Sequence, residues 1–262
     1  MSTIIQSVSI LGSGRVATLL AQKMVASGIQ IVDIYSRQLY NAQRLAQKVK
    51  ANATTDLAAL NTTSDLYLIA INDDAIESVV TELRSYLPAY SFVAHTSGAT
   101  PSQVLAAFPN HGVFYPLQSF SLDQKINFSQ VPFCLLGASE SLIKQLEQLA
   151  QQLGAPTYRI DDQQRAQLHV AAVFANNFTN YCYYIAHQLT QEQHIPFELL
   201  QPLIVETARK LQDGSPSTLQ TGPAIRGDQK TIARHLSLME NEDWKRIYQL
   251  LSEQIMDWKK TV

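Results

Sequence analysis

Ser7-Val8-Ser9-Ile10-Leu11-Gly12-Ser13-Gly14-Arg15-Val16-Ala17 sets a short apolar run against a glycine turn and the start of a helical pattern. A GxGxx(G/A) turn needs this context to hold a dinucleotide. Gly12 permits the tight turn, Gly14 lets the backbone approach a pyrophosphate, and Ala17 is small enough for close helix-to-strand packing. The helix that follows offers free N–H groups and partial positive charge to the phosphates. A purely structural glycine turn is the competing reading. Position at the start of a βαβ unit, with a second strand at the expected distance, argues for binding.

That second strand is Ile29 to Ser36, and the residue at its end selects the cofactor. An acidic side chain there would bond the ribose hydroxyls of NAD, whereas an arginine accommodates the extra phosphate of NADP. Asp33 is the acidic candidate, but Ile34 and Tyr35 continue the apolar run past it and place it inside the strand. The strand ends at Ser36-Arg37, a hydroxyl followed by a guanidinium, with Arg15 as a further positive charge in the turn. The pair predicts NADP; the competing reading is a solvated arginine at a strand end.

Further strands are expected over Leu66 to Ile71, Ser91 to His95, Gly112 to Tyr115 and Pro132 to Leu136. Helical spacing covers Val16 to Ser27, Asn41 to Val49, Ala75 to Tyr86 and Ser102 to Phe108. Strands apolar on both faces and separated by helices lie in a parallel sheet covered on both sides. The rest of the chain has helical period only. No Gly or Pro interrupts Asp162 to Gln193, where Leu168, Ala171, Ala175, Phe178, Cys182, Ile185 and Leu189 form the seam of one long amphipathic helix. Helices should follow over Phe197 to Leu211, Gln229 to Met239 and Glu242 to Lys259, with a Gly/Pro/Ser/Thr-rich segment from Asp213 to Gly227. The expected fold is therefore α/β: a doubly wound parallel Rossmann sheet over residues 1–155, then an all-helical domain over residues 156–262.

Composition agrees with a soluble cytoplasmic protein. Of 262 residues, 46% are hydrophobic, enough for one large core or two modest ones, and 16% are charged. The 26 glutamines supply much of the remaining surface polarity. A net charge of −2 gives no basic field for a nucleic acid backbone. No apolar run approaches the ~20 residues that cross a bilayer, and Met1 to Gln6 lacks the charged start of a signal peptide. Cys134 and Cys182 stand apart, with no CxxC and no His/Cys cluster, so neither a disulfide framework nor a bound metal is expected.

Ligands of open α/β sheets bind outside the carboxyl ends of the strands. Ala70 and Asn72, Ser97 and Gly98, and the segment Pro116-Leu117-Gln118-Ser119 stand at that edge. Asn72 or Asp73 would also serve as a cap for the helix near Ala75, and Thr100-Pro101-Ser102-Gln103 reads as a capping box. Ser97-Gly98 lies between strand and cap, where a small residue lets the backbone approach a nicotinamide, and His95 beside it would titrate near neutrality. On the long helix Asn176 and Asn180 each fall within about 20° of His169 at 3.6 residues per turn, with Asn177 about a quarter turn away. A hydride-transfer site needs a proton donor and amides that orient a substrate oxygen, and this stripe offers both; solvent-facing or satisfied core groups are the bland alternative. Arg226, between Gly222 and Gly227, would bind an anionic substrate group, while Asp228 caps the next helix.

The segments GSGRVA (12–17), YSR (35–37), HTSGATP (95–101), FYPLQSF (114–120), HVAAVFANNF (169–178) and TGPAIRGD (221–228) together resemble bacterial Rossmann-like proteins that carry a C-terminal helical domain of unknown function. The resemblance covers essentially the whole chain. That family is similar in architecture to NADP-dependent reductases with a 6-phosphogluconate-dehydrogenase-like helical domain, including pyrroline-5-carboxylate reductase and deazaflavin-dependent NADP oxidoreductase. It implies cofactor contacts from Gly12, Ser13, Gly14, Arg15, Val16, Ser36 and Arg37, and a site at the domain junction. Several hydroxyacid dehydrogenases of this architecture place a Lys four residues before a helix Asn, but here Ala172 and Val173 stand at those positions. Their mechanism is therefore not carried over, and His169 is the nearest titratable substitute.

These readings predict an NADP-dependent oxidoreductase acting on a small C=O or C=N substrate. His169 would move the proton, Asn176 or Asn177 would orient the substrate, and Arg226 would anchor an anionic end. The alternative from another class is a regulator or scaffold that keeps the NADP pocket without chemistry, which the missing Lys favours. An S-adenosylmethionine-dependent transferase is disfavoured by Arg37 at the second strand end. The long seam also predicts a homodimer through the helical domain.

Overall fold

A computed structural model describes residues 4–121 and 125–259. The chain divides into two compact units, Met1–Asn176 and Asn177–Val262. The first unit is built on eight strands: β1 (Ser7–Leu11), β2 (Gln30–Tyr35), β3 (Asn52–Thr54), β4 (Leu66–Ile69), β5 (Val93–His95), β6 (His111–Pro116), β7 (Phe133–Gly137) and β8 (Thr157–Arg159). Their order in the sheet is β3-β2-β1-β4-β5-β6-β7-β8. Every neighbouring pair is parallel except β6 and β7. Order reverses between β1 and β4, which is where an open doubly wound sheet opens a crevice at its carboxyl edge.

Helices α1 (Arg15–Ala26), α2 (Leu39–Val49), α3 (Ile76–Leu83), α4 (Glu140–Gln152) and α5 (Asp162–Ala172) complete this unit. In β4 the side chains alternate between two cores. Leu66 and Leu68 pack with Leu20 of α1, Leu45 of α2 and Leu146 of α4, whereas Tyr67 and Ile69 pack with Ile76 and Val80 of α3. A strand apolar on both faces is thus explained by helices on both faces. Each such side chain stabilises the unit by about 1.5–3 kcal/mol relative to exposure.

Several sequence expectations change. Pro132 to Leu136 does form a strand, β7, but it runs antiparallel to β6. A parallel return needs a crossover of a dozen or more residues, usually a helix, and the described part of this connection carries only the 3-10 turn Phe128–Gln130. Ser102 to Phe108 is not an α-helix. Pro101 and Pro109 bound it, and only the 3-10 turn Ser102–Leu105 fits between them. The three-residue strands β3 and β8 went unpredicted, and so did α4, whose Ser139 cap accepts a hydrogen bond from the Leu142 N–H.

Asp162 to Glu192 is helical throughout, as the periodicity predicts, but six residues, Val173–Phe178, adopt π-helical geometry between α5 and α6 (Thr179–Glu192). The alignment of His169 with Asn176 and Asn180 assumed uniform 3.6-residue turns, and wider i→i+5 turns void that arithmetic. Among the described residues the second unit holds helices only: α6, α7 (Gln201–Lys210), α8 (Pro216–Leu219), α9 (Pro223–Arg226), α10 (Gln229–Leu238) and α11 (Glu242–Lys259), with a 3-10 turn at Phe197–Leu200. No described helix is long and apolar enough to cross a membrane.

Candidate functional site

The glycine turn joins β1 to α1 at the reversal of strand order. Gly12 has φ +133°, and a Cβ there would run into the Ala70 carbonyl oxygen, so only glycine fits. Its N–H donates to the Tyr35 carbonyl at 2.8 Å, which ties the turn to the end of β2. Gly14 is different. It caps α1 with an ordinary extended conformation, φ −73° and ψ −171°, and a Cβ would meet nothing within 4 Å. No side chain caps the helix, and no acidic residue occupies its first turn. The leading N–H groups of α1 therefore have no side-chain cap and no first-turn carboxylate competing for them, as a phosphate would require. Ala17 is fully buried against the sheet.

At the end of β2, Ser13 Oγ donates to Ser36 Oγ at 2.9 Å, and Arg37 is exposed beside it. Asp33 lies inside the strand, 2% exposed, accepting from Ser9 Oγ at 2.8 Å, Asn52 Nδ2 at 3.3 Å and the Asn61 N–H at 2.9 Å. Its carboxylate is occupied in tying β1, β2 and β3 together. The residues at the strand end are a hydroxyl pair and a guanidinium.

The loop after β5 is rigidly tied. Ser97 Oγ accepts from the Ala99 and Thr100 N–H groups at 3.1 and 2.8 Å and donates to Thr100 Oγ1 at 2.9 Å. Thr100 therefore does not form the expected capping box. The following turn is capped from α5, where Asp162 accepts from the Ser102 N–H at 3.0 Å and from Ser102 Oγ at 2.7 Å. Burial opposes ionisation of Asp162, yet the bonds from Ser102 and the pair with Arg165 outweigh it and hold the carboxyl below its usual range. Arg165, 1% exposed, donates through Nη2 to the Thr100 carbonyl and pairs with Asp162 at 2.7 Å. The loop and α5 are thus locked together.

His95 also departs from expectation. It is fully buried, and its Nδ1 accepts the Ser97 N–H at 3.1 Å. Its Nε2 is buried without a well-formed hydrogen bond. Burial, and then the Arg165 charge, push its pKa down to about 4, with the Pro101 carbonyl opposing part of the shift. It is therefore neutral near pH 7 and does not titrate there. Because the folded value is depressed, the unfolded chain binds the extra proton first as pH falls. Stability should be flat above about pH 6.5 and decline towards pH 4 by about 3 kcal/mol. Urea unfolding across that window should show the decline, and His95→Gln should remove this part of the slope.

Tyr115, at the carboxyl end of β6, shares a hydrogen bond with His169 of α5, Oη to Nδ1, at 3.1 Å. The rings meet edge-on, 6.0 Å apart at 69°. The Tyr115 ring packs with Val113 and Cys134 and is flanked by Leu168. Burial raises its phenol to about 12. Gly98 lies directly against this pair: a Cβ there would stand 2.5 Å from His169 Nδ1 and 2.9 Å from Tyr115 Oη. The space at Gly98 is therefore filled by the dyad.

The family described as NADP oxidoreductase, coenzyme F420-dependent, matches residues 7–97, and the domain of unknown function DUF2520 matches residues 131–255. The crystal structure of "putative NADP oxidoreductase BF3122" from Bacteroides fragilis is 38% identical, covering 96% of this chain and 98% of that one, with a TM-score of 0.90. The chain belongs to the family of that protein. Pyrroline-5-carboxylate reductase from Streptococcus pyogenes shares the fold at 15% identity, TM-score 0.67, over 98% of each chain. So does a reductive aminase from Aspergillus terreus at 16% identity, TM-score 0.66, over 96% of this chain and 93% of that one. No curated protein matches the chain.

In this NADP-oxidoreductase family member the first unit brings together Gly12, Ser13, Gly14, Arg15, Val16, Ser36, Arg37 and Ala70 around the glycine turn, and Ser97, Gly98 and His169 around the dyad. Asn72 is exposed and makes no side-chain cap bond, so capping does not account for it. Asn176 closes the first unit and Asn177 opens the second, both within the π-helical turn. Arg226 belongs to the second unit, where it lines a pocket with Met256 and the carboxylates Glu253 and Asp257. Asp228 caps α10 as expected, accepting from the Thr231 N–H at 3.1 Å.

Tyr115 and Arg165 were missed in the sequence, though both left a signal. Tyr115 is the aromatic residue with a polar tip at the carboxyl end of a strand. Arg165 stands three residues before Leu168, which puts a guanidinium on the apolar seam.

Proposed function

We propose that this chain is an NADP-dependent oxidoreductase that transfers hydride to or from a small substrate with a C=O or C=N bond. The observation that carries the reading is the pairing of two features. The first turn of α1 is uncapped and open at Gly14, and β2 ends in Ser36-Arg37 with Asp33 engaged elsewhere. The nicotinamide supplies or accepts the hydride; the chain binds, orients and moves the proton. Gly12 to Val16 cradle the pyrophosphate, Ser36 and Arg37 hold the 2′-phosphate, and Ala70, Asn72, Ser97 and Gly98 border the rest of the cofactor. His169 moves the proton and Asn176 orients the substrate. The test is NADPH oxidation followed at 340 nm against pyruvate, glyoxylate, 1-pyrroline, cyclohexanone with methylamine, and coenzyme F420. Turnover of one class is expected. NADPH binding without turnover of any would favour the non-catalytic regulator, the reading that Ala172 and Val173 at the lysine positions support.

Arg37→Ala should remove most of the preference for NADPH over NADH, about 1.5–3 kcal/mol for a charge-assisted contact, or roughly ten- to a hundredfold in Kd. Calorimetry with both cofactors checks this, and equal affinities in the parent protein would contradict it.

A homodimer through the helical unit belongs to the same proposal. No residue of α6 or α7 is buried, and Tyr181, Tyr184, Leu203 and Val205 are 45–65% exposed. Helices of this length owe their stability to a packed apolar face, and a second copy would supply it. Light scattering at micromolar concentration should give twice the chain mass; a monomer would reject the dimer.

A further inference from the structure

We propose that Tyr115 and His169 act as one proton-transferring pair, with the Tyr115 hydroxyl handing its proton to the substrate and His169 restoring it. The inference rests on the oxidoreductase reading and adds a residue to it. Two independent observations converge. The first is the hydrogen bond itself, Oη to Nδ1 at 3.1 Å, joining a strand end to a helix 54 residues later. The second is Gly98, in the loop at the carboxyl edge, where any side chain would displace both partners.

The chemistry explains why two groups are needed. A phenol buried beside Val113 and Cys134, with its pKa pushed up to about 12, does not stay ionised as a lone acid, so it donates only if its proton is replaced at once. Arg165 lowers that value and Cys134 and Asp73 raise it, and among the described residues the ring nitrogen in hydrogen-bond contact with the oxygen is His169 Nδ1. His169 is in contact and only half-buried, open to exchange with solvent. In the reductive direction a bound NADPH would supply the hydride to the substrate carbon, and the electron pair of the C=O or C=N bond would move onto oxygen or nitrogen. That atom takes the Tyr115 hydroxyl proton. The Nδ1 proton of the imidazolium passes to the phenolate, leaving neutral imidazole, which solvent reprotonates. The net reaction consumes NADPH, one proton and the unsaturated substrate and yields NADP+ and the alcohol or amine.

Arg165 and Asp162 are positioning residues here. Their contacts to Thr100 and Ser102 hold the Gly98 loop against the helix that carries His169.

The experiment compares the parent, Tyr115→Phe, His169→Gln and the double variant in the NADPH oxidation assay, with the substrate panel given above. Tyr115→Phe should lower kcat by at least about a hundredfold with the Kd for NADPH within about twofold of the parent. The double variant should be no slower than the slower single one, because residues that act as a unit are non-additive. In protein labelled with 15N-histidine, Tyr115→Phe should move the His169 Nδ1 resonance. Full activity in Tyr115→Phe, or multiplicative losses in the double variant, would overturn the pair while leaving the oxidoreductase reading intact. An unmoved Nδ1 resonance would do the same. A parent protein that turns over nothing in the panel would overturn the oxidoreductase reading and the pair with it.

Discussion

Gly14→Val should abolish NADPH binding and leave the fold intact. The backbone at Gly14 is extended, with φ −73°, so valine meets no conformational penalty, and a Cβ has no neighbour within 4 Å to clash with. The valine methyl groups would instead occupy the open space in front of α1, where a pyrophosphate must come within hydrogen-bond distance of the first-turn N–H groups. Gly12 provides the contrast. Its φ of +133° and the Ala70 carbonyl behind it mean that even Gly12→Ala would distort the β1–α1 turn and reduce stability. Fluorescence titration with NADPH, alongside thermal unfolding of each variant, separates the two effects. A Gly14→Val protein that binds like the parent would show that the turn is structural only.

His169→Gln should lower turnover by about 10²–10⁴-fold, the usual contribution of general acid catalysis. Glutamine keeps a hydrogen-bonding group of similar reach for Tyr115, so loss of the proton source is isolated from loss of the contact. The pyrophosphate and 2′-phosphate are assigned to the glycine turn and Arg37 rather than to His169, so NADPH affinity should barely change. A fall in kcat with an unchanged cofactor Kd is the expected pattern. Unchanged turnover would remove His169 from the mechanism.

The parts of the fold that were legible in the sequence are those with long, two-faced apolar patterns. Leu66 to Ile69 feeds both cores at once, and that density of apolar side chains marks a central parallel strand. Asp33 was correctly placed inside its strand because Ile34 and Tyr35 continue beyond it. What was lost depended on partners distant in sequence. β3 and β8 are three residues each and are strands only because β2 and β7 offer them edges. The cap for Ser102 comes from Asp162, 60 residues away, so the local Thr100 motif pointed to the wrong acceptor. His95 looked like a titrating residue, and its burial beside Arg165 could not be seen from its neighbours in sequence. The π-helical turn at Val173–Phe178 has no simple periodic signature, and it breaks the angular reasoning that joined His169 to the asparagines.

In the proposed reading the glycine turn and the Tyr115–His169 dyad serve one bound NADP. A crystal structure with NADPH tests it most directly. The pyrophosphate should lie on the first turn of α1 beside Gly14, the 2′-phosphate should contact Ser36 and Arg37, and the nicotinamide C4 should face the region of Gly98, Tyr115 and His169. A cofactor bound elsewhere, or a nicotinamide turned away from that dyad with its 2′-phosphate free in solvent, would contradict the account.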